Sequence, residues 1–221
     1  MLGSKKDADS QASSIRLPCS RRESRRFTRR EAILNVAQAT FFENGYAGTS
    51  MSEIAGTIGG SKGTLWSYFS SKEMLFAAVV ERASQSFRQQ LSVILHPDIE
   101  IGETLRRFAR EYLQKVTSPQ AVALNRLVIG ETNRFPETGR IFYERAVGRT
   151  RQMLADYLEE AMTRGLLCRG DSIVAAQHLI GLVSSGCSHQ LLVGLISTVD
   201  DAVLDQDAEL GVAAFLRAHQ L

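Results

Sequence analysis

The sequence predicts an all-α protein of about nine helices. Three observations carry this reading. Apolar residues recur at three- and four-residue intervals along most of the chain. Thr28, Ser50 and Ser70 each stand three residues before a glutamate (Glu31, Glu53, Glu73), the spacing of a helix-starting capping box. No stretch alternates apolar and polar residues between hairpin turns, as exposed strands require.

Each element can be justified in order. Residues 1–27 are rich in Ser, Arg and Lys without apolar periodicity, and read as a flexible basic arm. Thr28 opens a helix whose Ile33, Val36, Ala37, Thr40 and Phe41 share a face, and Gly45 stops it. Ser50 caps a short helix with Met51, Ile54, Ala55 and Ile58 inward, broken by Gly59-Gly60. Ser61 caps a third helix that ends near Ser70. Ser70 then starts a long helix with Leu75, Phe76, Val79, Val80, Ala83, Phe87 and Leu91 on one side, ended by His96-Pro97-Asp98. Further helices are expected from Gly102 to Val116 and from Ser118-Pro119 to Asn133. Pro136 opens a long one to Arg164, closed by Gly165. Asp171 caps another, through Leu195, and a last one runs from Asp205 to His219.

Composition bounds the class. With 221 residues, 44% of them hydrophobic, and a net charge of +2, the chain can bury a core without disulfides or metal. That excludes a wholly disordered chain, a collagen-like fibre and a disulfide-stapled miniprotein. The charge is uneven. Residues 1–30 hold nine Lys or Arg against three acidic residues, and the remainder has an acidic excess. A basic arm on an acidic body suits nucleic acid, although a solvated tail has the same composition.

Residues 50–69 have the layout of a helix-turn-helix, with Gly59-Gly60 supplying the tight turn. On the second helix Leu65 and Phe69 lie four apart on the buried face. Ser67 points nearly opposite, flanked by Thr64 and Trp66, and Lys62 stands at the helix start, where recognition helices meet the groove. The capped N-termini present free N–H groups suited to phosphate. A plain helical hairpin within a bundle would read the same way.

The segments FFENGYAGTS and SEIAGTIGGSKGTLWSYFSSKEML, within a run from Ile33 to Val80, resemble the DNA-binding domain of the TetR family of bacterial transcription regulators. The resemblance implies a three-helix DNA-binding head over residues 28–75 and an all-α ligand-binding and dimerisation domain over residues 76–221. It places Thr49 and Ser50 as phosphate-binding hydroxyls, and Ser61, Lys62, Gly63 and Thr64 at the start of the recognition helix. Trp66 stands where the family most often has Tyr, packing on the DNA backbone. Ser67 and Tyr68 join the DNA-facing set, Lys72 matches a phosphate-reaching lysine, and Arg29 of the basic segment is added to the candidates. Gly60 departs from the family's common Val.

Residues 125–185 are similar to the C-terminal domain of the AefR-like branch. The family's pocket lies among the middle helices, which makes Phe108, Tyr112, Asn125, Arg126, Glu131, Met153, Tyr157 and His178 candidate ligand contacts; core packing explains the same aromatic and Met spacing. Family dimers form through the last two helices, here Ser172–Leu195 and Asp207–His219. The expected function is a ligand-responsive DNA-binding regulator, a repressor by family default, released from a near-palindromic operator by a small-molecule inducer. A helical enzyme or carrier, or a non-specific DNA binder driven by the arm, are the alternatives.

No nucleophile elbow, P-loop, H-E-x-x-H or clustered acid pair appears, so no catalytic residue, cofactor or metal is expected. His178 and His189 are eleven apart, not a helical metal pair. Cys19, Cys168 and Cys187 are odd in number, lack C-x-x-C spacing and read as free thiols of a reducing cytoplasm. Ser172 to Val199 carries no Asp, Glu, Lys or Arg. His178, Ser184, Ser185, Ser188, His189 and Gln190 interrupt it, so a buried or interface helix fits better than a membrane span. The arginine pairs near residue 21 lack the following apolar stretch of an export signal. The expected location is the bacterial cytoplasm, in association with the nucleoid.

Overall fold

The computed structural model describes residues 21–59 and 62–220, with the backbone alone of Lys62. Every described element is helical. The first four helices are α1 (Arg21–Gly48), α2 (Met51–Thr57), α3 (Lys62–Tyr68) and α4 (Lys72–Ile94). There follow α5 (Ile101–Val116), α6 (Pro119–Glu131) and α7 (Pro136–Phe142), which runs through a π-helical turn at Tyr143–Val147 into α8 (Gly148–Thr163). The chain closes with α9 (Ser172–Ser184), α10 (Cys187–Leu192) and α11 (Asp201–His219).

Several boundaries differ from the sequence reading, each for a local reason. Thr28 is not a cap. It lies inside α1 and donates its hydroxyl to Ser24 O at 3.0 Å. Nothing between Arg21 and Phe27 breaks a helix, and Glu23 suits the positive end of the helix dipole. Residues 21–27 of the expected arm are therefore helical, while 1–20 lie outside the described residues. Ser71, not Ser70, caps α4, accepting from Met74 N at 3.2 Å. Ser50 does cap α2, accepting from Glu53 N at 3.1 Å, but Glu53 accepts from Asn44 instead of closing the box.

The expected Asp171-capped helix breaks at Gly186. There the Asp207 carboxylate of α11 packs so close that a Cβ would not fit, and Cys187 N donates to Asp207 Oδ2 at 2.7 Å. α11 begins at Asp201, four residues early, where Asp201 places a carboxylate in the first turn.

Two hydrophobic clusters hold the fold. One unites Ile33, Leu34, Phe41, Tyr46, Ile54, Leu65, Phe69 and Phe76 of α1–α4 with Leu124 and Val128 of α6 and Ile141 of α7. The other packs α5, α8, α9 and α11 with the C-terminal half of α4. A buried Leu or Phe contributes about 1.5–3 kcal/mol. α4 spans both clusters, so the N-terminal head is braced by α6 and α7 rather than tethered by α4 alone.

Candidate nucleic-acid interface and the adjoining cavity

The head is organised around the turn that joins α1 to α2. Gly45 takes φ 72°, in the left-handed region, and ends the regular part of α1. One group of the turn itself and two from elsewhere in the chain hold it. Thr49 donates its hydroxyl to Gly45 O at 2.7 Å. Lys72 Nζ donates to Tyr46 O at 2.9 Å and to Thr49 O at 3.1 Å, and stands 4.3 Å from the centre of the Tyr46 ring. Glu131, at the end of α6, accepts from Ala47 N at 3.0 Å.

α3 divides as the sequence suggests. Leu65 and Phe69 are buried in the head, whereas Trp66 is 40% exposed and Gly63 and Ser67 face outward. Thr64 and Tyr68 are half-buried, and Ser67 donates its hydroxyl to Thr64 O at 2.7 Å. Gly59, at φ 68°, supplies a left-handed residue in the turn before α3. Ser61 and the Lys62 side chain lie outside the described residues.

Two expected contacts sit differently. Thr49 is only 2% exposed, with its hydroxyl turned inward. Ser50 alone of that pair offers an exposed side chain. Lys72 is committed to the α1–α2 turn, because its ammonium balances the carbonyl-rich end of α1. Arg29 is half-buried on α1. α1 also reaches α3: Arg26 stands 5.8 Å over the Tyr68 ring and Arg30 5.6 Å over Phe69. The i, i+4 spacing of Arg22, Arg26 and Arg30 was the available signal for a helical basic ridge.

A cavity of about 140 Å³ lies where the two clusters meet. Its walls include Gln38 and Phe42 of α1, Phe87 of α4, Tyr112 of α5, Leu124 of α6 and Phe142 of α7. Ala146 and Val147 of the π-helical turn close one side. Gln38 also accepts from Arg82 Nη2 at 2.7 Å. Arg82 further donates to Leu34 O and to Asn35 Oδ1, stitching α4 to α1 beside the cavity.

Of the eight candidate ligand contacts, the structure brings Tyr112 and Asn125 to this cavity. Phe108 is buried behind it, stacked on Tyr112 at 6.0 Å. The other five are committed elsewhere. Arg126 donates to Leu191 O and Leu192 O, satisfying carbonyls that the end of α10 leaves open. Glu131 holds the head turn, so the two do not form the pair the sequence allowed. Met153 and Tyr157 pack in the C-terminal cluster. His178 is exposed on α9, with Nδ1 3.4 Å from His219 Nε2.

Among the described residues, no three His, Cys, Asp or Glu side chains are grouped to hold a metal. No described helix is long and apolar enough to cross a membrane.

A short helix pair with one outward face, set on a larger helical body with a cavity at the junction, is the architecture of the helix-turn-helix transcription regulators. The comparisons agree. Residues 33–79 match the family of bacterial regulatory proteins named for TetR, and residues 103–220 match the C-terminal domain of AefR-like transcriptional repressors. The chain belongs to the TetR family, with a C-terminal domain of the AefR-like kind.

Among solved structures, a chain of Mesorhizobium loti MAFF303099, described as a TetR-family transcriptional regulator, superposes with a TM-score of 0.78 at 30% identity. The match covers 89% of this chain and 99% of that one. The flavonoid-responsive regulator FrrA superposes with a TM-score of 0.75 at 33% identity, over 88% of this chain and 98% of its own. The regulator UidR of Escherichia coli K12 is 41% identical over 69 residues, 29% of this chain. The chain spans only 35% of the length of that curated relative.

Proposed function

We infer that the protein is a sequence-specific DNA-binding transcription regulator whose affinity for its operator is set by a small molecule in the junction cavity. The observation that carries this is the shared wall. Gln38 and Phe42 face the cavity from α1, the same helix whose Ile33, Leu34 and Phe41 build the core on which α3 rests. A ligand that favours one packing of α1 against α4 and α6 shifts the head, and by linkage weakens or strengthens DNA binding equally. Release of DNA, and hence repression, is the family's usual sense.

The DNA-facing set is Trp66, Ser67, Gly63, Thr64 and Tyr68 with the N-terminal residues of α3, and Ser50 on α2 for phosphate. Arg29 and the basic ridge of α1 add phosphate contacts at its side. Lys72 acts by holding the α1–α2 turn. A second copy of the chain covers α9 and α11. Val174 and Leu182 on α9, and Val203 and Leu210 on α11, are exposed apolar side chains at helical spacing. Two-fold pairing there sets two α3 helices about 34–36 Å apart, on successive major grooves. The division into an arm, a head over 28–75 and a sensing body over 76–221 is part of the same reading, with the qualification that α6 and α7 share the head's core.

The test is fluorescence anisotropy with duplex DNA from just upstream of the protein's own gene, in excess random competitor. Binding that survives competitor, and that Trp66→Ala weakens at least about tenfold, supports the reading. Binding that random DNA removes, untouched by Trp66→Ala, overturns it in favour of a non-specific binder.

A further inference from the structure

The cavity wall contains one charged side chain among its described lining residues, Lys115, in the last turn of α5. No aspartate or glutamate lines the cavity, and Lys115 makes no hydrogen bond or ion pair with the described residues. Several other half-buried cations of the fold are matched by carboxylates, while half-buried Arg151 turns to the Tyr143 hydroxyl outside the cavity. Arg110 pairs with Asp201 and Asp205, Arg88 with Glu81, and Arg82 with Glu31. An unpaired, half-buried ammonium beside aromatic walls is costly unless something supplies the counter-charge. Burial holds the Lys115 ammonium below its ordinary value, the sign of a cation short of solvent and of partners.

We propose that the cavity takes a small aromatic acid, with one ring against Phe42, Phe87, Tyr112 and Phe142 and its anionic oxygens on Lys115 Nζ. The size fits. A cavity of about 150 Å³ elsewhere holds a benzene ring, against about 140 Å³ here. Asn125, whose Nδ2 donates to Ala121 O at 2.9 Å, and Gln120 supply amides near the same end of α6. The remaining lining is largely apolar, so the ring gains from leaving water and the acid gains from one charge-assisted bond.

This inference rests on the reading of the cavity as the sensing site, and its test separates the two. The probes are trans-cinnamate and trans-cinnamamide, which differ in charge but hardly in shape, measured by isothermal titration calorimetry at neutral pH with the full-length protein. Cinnamate is expected to bind about tenfold or more tighter than the amide. Lys115→Met is expected to bring the ratio close to one while leaving amide binding in place, and Lys115→Arg to retain the preference. An unchanged thermal midpoint in Lys115→Met shows that the fold is intact.

Equal binding of the two probes, a preference that survives Lys115→Met, or no binding of either at millimolar concentration overturns the proposal. A Lys115-dependent preference without any effect on DNA binding upholds the acid site and contradicts the regulatory reading. DNA release by other compounds, with no acid preference, does the reverse.

Discussion

At the residue scale, the head depends on one lysine used in an unexpected way. Lys72 was legible as a cation at the start of α4, and the resemblance assigned it to phosphate. Its burial against Tyr46 and Phe135 was not legible, because Phe135 is 63 positions away and comes from the loop before α7. Replacing Lys72 with Ala leaves the Tyr46 and Thr49 carbonyls without this partner, at a cost of about 1–3 kcal/mol. A lower thermal midpoint and weaker DNA binding are expected, with the salt dependence of binding unchanged. A flattened salt dependence at full stability would return Lys72 to the phosphate backbone.

The cysteines give a second residue-scale prediction. Burial, reinforced by the Asp207 carboxylate, pushes the Cys187 thiol up to about 12, so it stays protonated at neutral pH. Cys168 is less buried and donates only a weak bond to Gln220 O. Iodoacetamide at pH 8 should therefore modify Cys168 and spare Cys187, as peptide mass mapping would report. Rapid labelling of Cys187 would mean that the α10–α11 contact opens readily.

At the element scale, helix existence was readable and helix registration less so. Ser50 and Ser118 cap the helices that their sequence positions announce, and Gly45 takes a positive φ where a break is expected, although α1 resumes for one short turn to Gly48. The errors fall where a remote group decides. Asp207 breaks the uncharged segment at Gly186, and nothing near residue 186 signals a carboxylate from α11. Thr28 had the spacing of a cap, but spacing does not reveal that the preceding seven residues are themselves helical.

The contact between α9 and α11 is the tightest test of this packing. A Cβ on Gly211 would lie 2.8 Å from Val183 Cγ2 and 3.0 Å from the Val183 backbone. Gly211→Val must push the two helices apart, costing about 1–3 kcal/mol. Because both helices also carry the proposed subunit contact, the variant should lose dimer as well as thermal stability. Full stability in chemical denaturation would show that the helices are further apart than described.

At the scale of the whole molecule, function requires three regions to act together: α3 outward, the cavity within, and the proposed α9/α11 face against a second copy. Leu210 is 61% and Val203 40% exposed, seven residues apart on one side of α11, and grouped exposed apolar side chains of this kind mark a contact surface. Leu210→Arg is expected to convert a dimer to a monomer by light scattering at micromolar concentration, with unchanged helicity. A wild-type monomer under those conditions would remove the two-fold geometry on which the operator spacing depends. The candidate site was only partly legible at this scale. The outward residues of α3 follow from local periodicity, whereas the cavity needs α1, α4, α5, α6 and α7 to converge, which periodicity within one helix cannot show.

The most direct measurement is selection from a pool of randomised duplexes by the full-length protein at physiological salt, followed by sequencing. Enrichment of one near-palindromic motif is expected, with half-sites about one helical turn apart, and loss of that enrichment in Trp66→Ala. A pool that binds without converging on any motif would contradict it, leaving the basic N-terminal segment, not α3, as the source of affinity for DNA.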